Sequence, residues 1–272
     1  EEIESQRDEI EAQRDLVFAQ KKEITDSIAY AQRIQAAILP QPAFLKGILH
    51  EYFVLYLPRD IVSGDFYWIK EFGSTLIVVA ADCTGHGVPG AFMSMLGITL
   101  LNELFVDGGS HEPGAILGQL RSKVKSMLSQ EGSIRDQKDG MDMAIALVDK
   151  EKKELQYAGA YNPLYLVRAG GKLIEFKGDK QPIGIHWEEK EFNTQAIPLL
   201  EGDTIYVFSD GFVDQYGGRD GKKFKTQKFK ELLLSVQGEP MDRQKEILEE
   251  AFEAWRGKRE QIDDVCVVGV RV

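Results

Sequence analysis

Four aspartates stand where an apolar run begins or ends, three of them beside glycine or another acid and Asp82 three residues before a glycine. They are Asp65 in SGDFYW, Asp82 in VVAADCTGHG, Asp210 in YVFSDGF, and Asp263 or Asp264 in QIDDVCVV. A carboxylate at the edge of a strand that enters the core loses hydration and needs a partner. A single such residue is a turn former or a helix cap. Four of them, three without an adjacent Arg or Lys, ask for a shared cation. The donor set is all oxygen, which suits Mg²⁺ or Mn²⁺; zinc prefers the His and Cys that this chain mostly lacks.

The glycine-rich run GHGVPGAF follows Asp82 closely. Amides ahead of a helix can meet a phosphate, but no Lys-Ser/Thr pair follows, so the run is not a P-loop. Gly85, Gly87 and Gly90 are read as permitting a tight turn between a metal-bearing strand and a core helix. His86 is read as structural, with proton donation to a leaving group as the competing role.

With 33 Lys+Arg against 44 Asp+Glu, the 272-residue chain carries a net charge of −11. That balance argues against nucleic acid as the main partner, since phosphate backbones need clustered cations. A 43% hydrophobic content rules out a disordered chain. Two cysteines, Cys83 and Cys266, with no CxxC pairing fit a reducing, cytoplasmic setting and neither a disulfide framework nor a zinc site. The most apolar stretch, Ala91 to Val106, is interrupted by Asn102 and Glu103. It is too short to span a bilayer, so a buried core helix is expected and direct membrane insertion is not. The charged start is no signal peptide. Because Glu1 falls inside a helical pattern, a fragment of a longer chain is expected.

Two regions must position these residues. Residues 1–42 are expected to form a coiled-coil regulatory helix and linker, and 43–272 one catalytic domain. Glu1 to Leu39 holds no Gly or Pro, and Ile3, Ile10, Val17, Ile24, Ala31 and Ile38 recur every seven residues. That period implies a left-handed supercoil. Its companion seam is polar at Gln6, Gln13 and Gln20 and apolar only near Ile28 and Ile34, so a weak pairing is expected. Pro40 and Pro42 end the helix. Beyond them, β-rich runs at Tyr52–Leu57, Asp65–Ile69 and Thr75–Ala81 precede helices over Pro89–Phe105 and Pro113–Ser129. Six more strands are expected between Met143 and Ser209, then helices near Thr226–Val236 and Met241–Trp255, and a last strand, Val265–Val272. Meandering strands with paired helices between them predict an α+β fold: two sheets face to face, helices outside.

VSGDFYW, ADCTGHGVPGAFMSMLG, YNPLYLVR, QPIGI, FSDGFVDQ and DDVCVVGVRV stand in one order along the chain. In that order they resemble the bacterial SpoIIE/RsbU-type phosphatases of the PPM (PP2C-like) superfamily, over roughly Ser27 to Val272. SIAYAQRIQAAILP is similar to that family's regulatory helix. The resemblance implies a PP2C-like α/β/β/α sandwich and a protein serine/threonine phosphatase using two Mn²⁺ or Mg²⁺. It implies that Asp82 bridges the two ions, with the Cys83 carbonyl as a further ligand. Asp65 and Asp210 would be ligands, and in the terminal pair Asp263 aligns with the metal position rather than Asp264. Two cations about 4 Å apart would activate a shared water for in-line attack on phosphorus, without a covalent phosphoenzyme.

Departures from the family pattern bear on the mechanism. Where many relatives read GDSR this chain reads GAYN, so Ala160 replaces an aspartate associated with a third metal. The phosphate-gripping arginine of eukaryotic relatives has no certain counterpart, although Arg59 is near in sequence. Asp142 occupies a position often acidic in this subgroup and has no assigned role. The resemblance also implies a phosphorylated, STAS-type protein substrate, an upstream sensor domain, and a homodimer formed through the N-terminal helix. The competing readings are a dimeric signalling scaffold without strong catalysis, which predicts a missing metal carboxylate, and a metal-dependent small-molecule phosphohydrolase.

Overall fold

The protein is described here by a computed structural model covering residues 2–106, 112–130 and 138–272. Helix α1 runs unbroken over Glu2–Ile38, as a stretch without Gly or Pro allows; Glu1 lies outside the described residues. The boundary after it differs from expectation. Pro42 opens a second helix, α2 (Pro42–Ile48), at its first position, where the missing N–H costs nothing. The break between the helices is therefore only Leu39–Gln41, and Leu45 and Leu49 carry α2 into the core.

Two five-stranded antiparallel sheets follow. One is ordered β1 (Tyr52–Leu57), β12 (Val265–Arg271), β9 (Thr204–Phe208), β6 (Leu164–Val167) and β7 (Leu173–Phe176). The other is ordered β2 (Phe66–Phe72), β3 (Thr75–Cys83), β4 (Met141–Asp149), β5 (Glu154–Ala160) and β8 (Gln195–Pro198). Val78, Ala80, Ala144 and Ala146 of the second sheet face Leu166, Val207, Cys266 and Val268 of the first across a continuous apolar layer. The alternate residues, such as Ile77, Val79 and Ala81, pack outward under α3 (Gly87–Val106) and α4 (Pro113–Met127). On the other side α6 (Thr226–Ser235) and α7 (Met241–Arg256) cover Leu55, Tyr206 and Val267. Both faces of the central strands are thus buried, which is why they read as unbroken apolar runs. The layers are helix, sheet, sheet, helix, as expected.

Strand β2 reaches Phe72, further than the sequence suggested. A short helix, α5 (Gly211–Asp214), and a two-stranded hairpin, β10 (Tyr216–Gly217) with β11 (Lys222–Lys223), were not expected. Helix α3 is apolar and long enough to cross a membrane by length and composition, but over half of that stretch is buried in the fold. It is the core helix that the interrupting Asn102 and Glu103 implied.

Candidate metal centre

The acids arrive from both sheets at one end of the sandwich. Asp65 immediately precedes β2, whose register sets Phe66 opposite Ala81. Asp82 lies in β3, directly opposite Asp142 of β4. Asp210 follows β9 and caps α5, while Asp263 and Asp264 lead into β12, the neighbour of β9. Two sheets that share no hydrogen-bonded edge therefore bring carboxylates to a common space.

Electrostatics show that these side chains feel one another. Burial pushes the Asp65 carboxyl well above the usual range, with Asp264, Asp263 and Asp210 adding repulsion and the Ser209 hydroxyl partly offsetting it. Asp82 is raised well above the usual range by burial first, then by Asp65, Asp210, Asp263 and Asp142. Burial raises Asp210 as well, with Asp214 and Asp263 contributing. Asp263 is raised by burial, then by Asp264, against relief from the Asp264 amide, Arg59 and His86. Asp142 is pushed up to about 7 by burial and by Asp210. A divalent cation reverses this penalty.

The residues fit such an ion in chemistry. Asp65 is 2% exposed, and its Oδ2 is buried with no hydrogen-bond partner. Carboxylate and carbonyl oxygens are the donors Mg²⁺ and Mn²⁺ take. Among the described residues, no three His, Cys, Asp or Glu side chains close on a single point as a finished ligand set.

Asp264 stands apart from the other acids. Its Oδ1 accepts the Arg59 amide and its Oδ2 the Gly64 amide, both at 2.7 Å. With both oxygens engaged by backbone amides, Asp264 ties the lead into β2 to the start of β12. The neighbouring Asp263 is half-buried, and only one of its oxygens, Oδ1, accepts a backbone amide, that of Asp264 at 2.9 Å. Arg59 donates to the Ile262 carbonyl at 2.9 Å and lies close enough to Asp263 to lower its pKa. His86 Nδ1 pairs with Asp60 Oδ2 at 2.9 Å, half exposed on the same rim. Gly85 and Gly87 have φ of +82° and +64°, the left-handed backbone the turn demanded. A Cβ on Gly90 would lie 2.3 Å from the Gly85 carbonyl oxygen, so α3 is packed hard against this turn.

Beside Asp82 and Asp142, a cavity of about 240 Å³ extends between Thr84, Gly140, Lys138 and Ile185. A larger cleft of about 590 Å³ opens at the other end of the strands, lined by Leu49, Leu76, Val148 and Val270; none of the site carboxylates reaches it.

The residue that sequence reasoning missed is Gln35. It is 4% exposed near the end of α1. Its amide nitrogen donates to the Ser63 carbonyl at 2.6 Å and to Ser94 Oγ at 2.8 Å, and its oxygen accepts the Ser63 amide at 3.1 Å. The signal was a polar residue on the face that Ile28, Ala31 and Leu39 turn toward the domain.

Residues 73–272 match the family described as Stage II sporulation protein E (SpoIIE). The chain belongs to the SpoIIE family. Among curated relatives, the phosphoserine phosphatase RsbU of Bacillus subtilis (strain 168) is 24% identical over 199 residues, 71% of this chain and 55% of RsbU. The chain thus spans about half the length of that relative. Among solved structures, the SiaA-PP2C domain of Pseudomonas aeruginosa superposes with a TM-score of 0.84 at 35% identity, covering 93% of this chain and 98% of that one. The PP2C phosphatase domain of SpoIIE from Bacillus subtilis, solved with a fragment of its regulatory domain, gives 0.66 at 20% identity, over 81% and 62%. This second likeness is one of fold. SpoIIE-family membership and the likeness to the SiaA-PP2C domain give the chain a PP2C-type domain.

Proposed function

We propose that this chain is a metal-dependent protein serine/threonine phosphatase whose activity is set through its N-terminal helix. The observation that carries the reading is the meeting of Asp65, Asp82, Asp210 and Asp263 from two sheets, each pushed up by burial and by its neighbours. In this reading Asp65, Asp82, Asp210, Asp263 and the Cys83 carbonyl hold two Mn²⁺ or Mg²⁺, with Asp82 shared. Such ions supply an activated water and neutralise phosphate charge when bound. The chain does the rest. The buried carboxylates fix the ions, and Asp264 holds the lead into β2 in place through two amides. Arg59, on the rim beside Asp263, offers a guanidinium to the substrate phosphate. His86, oriented by Asp60, is kept as a surface member of that rim.

Regulation follows from Gln35. It bonds both backbone groups of Ser63, two residues before Asp65. Movement of α1 therefore reaches a proposed ligand through one short segment. The heptad residues Ile3, Ile10, Val17 and Ile24 are 82%, 65%, 61% and 61% exposed, an apolar stripe that a second copy would cover in a parallel coiled coil. An upstream sensor acting on α1, a STAS-type phosphoprotein as substrate, and a reducing cytoplasmic setting suited to the free, buried Cys83 and Cys266 complete the proposal.

The test is phosphate release from a phosphoserine peptide with Mn²⁺, Mg²⁺ or excess EDTA. Turnover with either ion and none in chelator is expected; full turnover in EDTA sinks the reading.

A further inference from the structure

The chain is acidic overall, at −11, yet one segment is not. Residues 219–230 carry Arg219, Lys222, Lys223, Lys225, Lys228 and Lys230 against the single acid Asp220. The segment comprises the β10–β11 turn, β11 and the first turns of α6. Arg219, Lys222, Lys225 and Lys228 are exposed. Arg259 adds to the surface, since its guanidinium lies against Gly221.

The fold holds these cations rather than neutralising them. Lys228 sits 3.7 Å above the Trp255 ring, which fixes its position without removing its charge. Lys222 makes only a long, exposed contact with Asp220 at 3.4 Å. Arg219 and Lys225 have no ion pair among the described residues. Charges of one sign gathered on a chain of the other sign cost repulsion, and they create a local field that selects an oppositely charged ligand.

The position of the segment says what that ligand is. Lys223 bridges to Asp214 at 2.6 Å, and it is near enough to Asp210 to act against the rise in that carboxyl. The hairpin therefore borders the carboxylate cluster through α5, the four-residue helix that Asp210 caps. A ligand lying on the patch is thus held on the side of the fold that carries Asp210 and Asp214. A nucleic acid or a membrane surface is a continuous polyanion that would reach beyond the patch over a chain of net charge −11, which repels it. A short acidic segment does not.

We propose that Arg219, Lys222, Lys225 and Lys228 form a docking surface for an acidic segment of the substrate protein that flanks its phosphorylated residue. This rests on the phosphatase reading and adds a substrate preference to it. The patch orients the phosphoprotein and raises its encounter rate; it takes no part in phosphoryl chemistry.

The experiment compares two phosphoserine peptides, one flanked by Asp and Glu and one by Gln and Ser, with the Mn²⁺-loaded protein. At low salt kcat/KM for the acidic peptide is expected to be about tenfold higher, through KM, and the gap to close as salt rises. Triple substitution Arg219→Gln/Lys222→Gln/Lys225→Gln abolishes the preference and leaves the neutral peptide unchanged. The Glu triple variant inverts it. Thermal melts confine the comparison to folded variants, and anisotropy of the labelled peptides reads binding without turnover. Equal efficiency for both peptides overturns the docking surface alone. So does a parallel loss on both peptides in the Gln variant, or tight wild-type binding of anionic vesicles or duplex DNA without acidic-peptide preference. Turnover of neither peptide overturns the phosphatase reading, and the anisotropy then decides the docking surface by itself.

Discussion

Gln35 and Ser63 exchange two hydrogen bonds, the side-chain amide of one completing both backbone groups of the other at 2.6 and 3.1 Å. A strand would normally satisfy those groups. Here a helix does it with one side chain, so the position of the SGD segment depends on where α1 sits. Gln35→Ala leaves the buried Ser63 amide without a partner, while the Ser63 carbonyl keeps the Ser94 hydroxyl at 3.3 Å, a cost of about 1–3 kcal/mol. The expected result is a lowered Tm together with a higher Mn²⁺ concentration for half-maximal activity. An unchanged Mn²⁺ dependence would make the clamp merely structural.

Asp263 and Asp264 should separate cleanly by substitution. Asp264 is 2% exposed and bonds two amides, so Asp264→Asn should destabilise by about 1.5–3 kcal/mol even in chelator. Asp263→Asn should leave metal-free stability the same or higher and abolish ion-dependent stabilisation. Urea titrations with and without Mn²⁺ check this, and the reverse pattern would exchange the two roles.

Removing the carboxylate proposed to be shared should cost activity and not the fold. Asp82→Ala is expected to abolish turnover. In chelator it should melt higher than the wild type, because a buried charge amid like charges has been deleted. His86→Ala, at an exposed rim position, should lose far less activity. Steady-state kinetics beside thermal melts decide the order.

The pH dependence of the metal-free protein has a definite sign. Asp65, Asp82 and Asp142 have folded-state pKa values raised above the ordinary 3.8, Asp142 to about 7. Below the unfolded value both states are protonated and no penalty exists. As pH rises toward about 7, the unfolded chain ionises more readily than the folded one, so stability falls. Melting in EDTA should therefore drop from about pH 5 to about pH 7, and Mn²⁺ should flatten the slope. A rise over that interval in EDTA would contradict the cluster.

The exposed heptad stripe predicts a dimer that one charge can undo. Ile10→Lys or Val17→Lys should shift the protein from dimer to monomer in light scattering at micromolar concentration, while the catalytic domain melts unchanged. A wild-type monomer under those conditions rules out the coiled coil.

The sequence made the sandwich legible because buried strands such as TLIVVAADC are apolar on both faces, and the helices beyond are punctuated by Gly and Pro. The acids were legible by their place at strand ends. Partners separated by hundreds of residues were not. Asp264 meets Gly64 across 200 positions, and nothing local distinguishes a ligand from a clamp in a DD pair. Gln35 was hidden because a heptad reading asks which residues are apolar, whereas its role depends on a polar side chain beside Ala31 and Leu39 on the face turned toward the domain. Helix α2 was missed because Pro42 was taken as an end, although the first position of a helix tolerates proline equally well.

The division of the carboxylates between two sheets has a consequence for biogenesis. Neither sheet alone holds a complete set, since Asp65 and Asp82 belong to one and Asp210 and Asp263 to the other. On the proposed assignment a nascent or half-assembled chain would lack the activity, because the site would exist only once the halves had docked in register. Cations held there would act as rivets across the seam, so metal supply would govern how long the finished molecule resists proteases as well as whether it works.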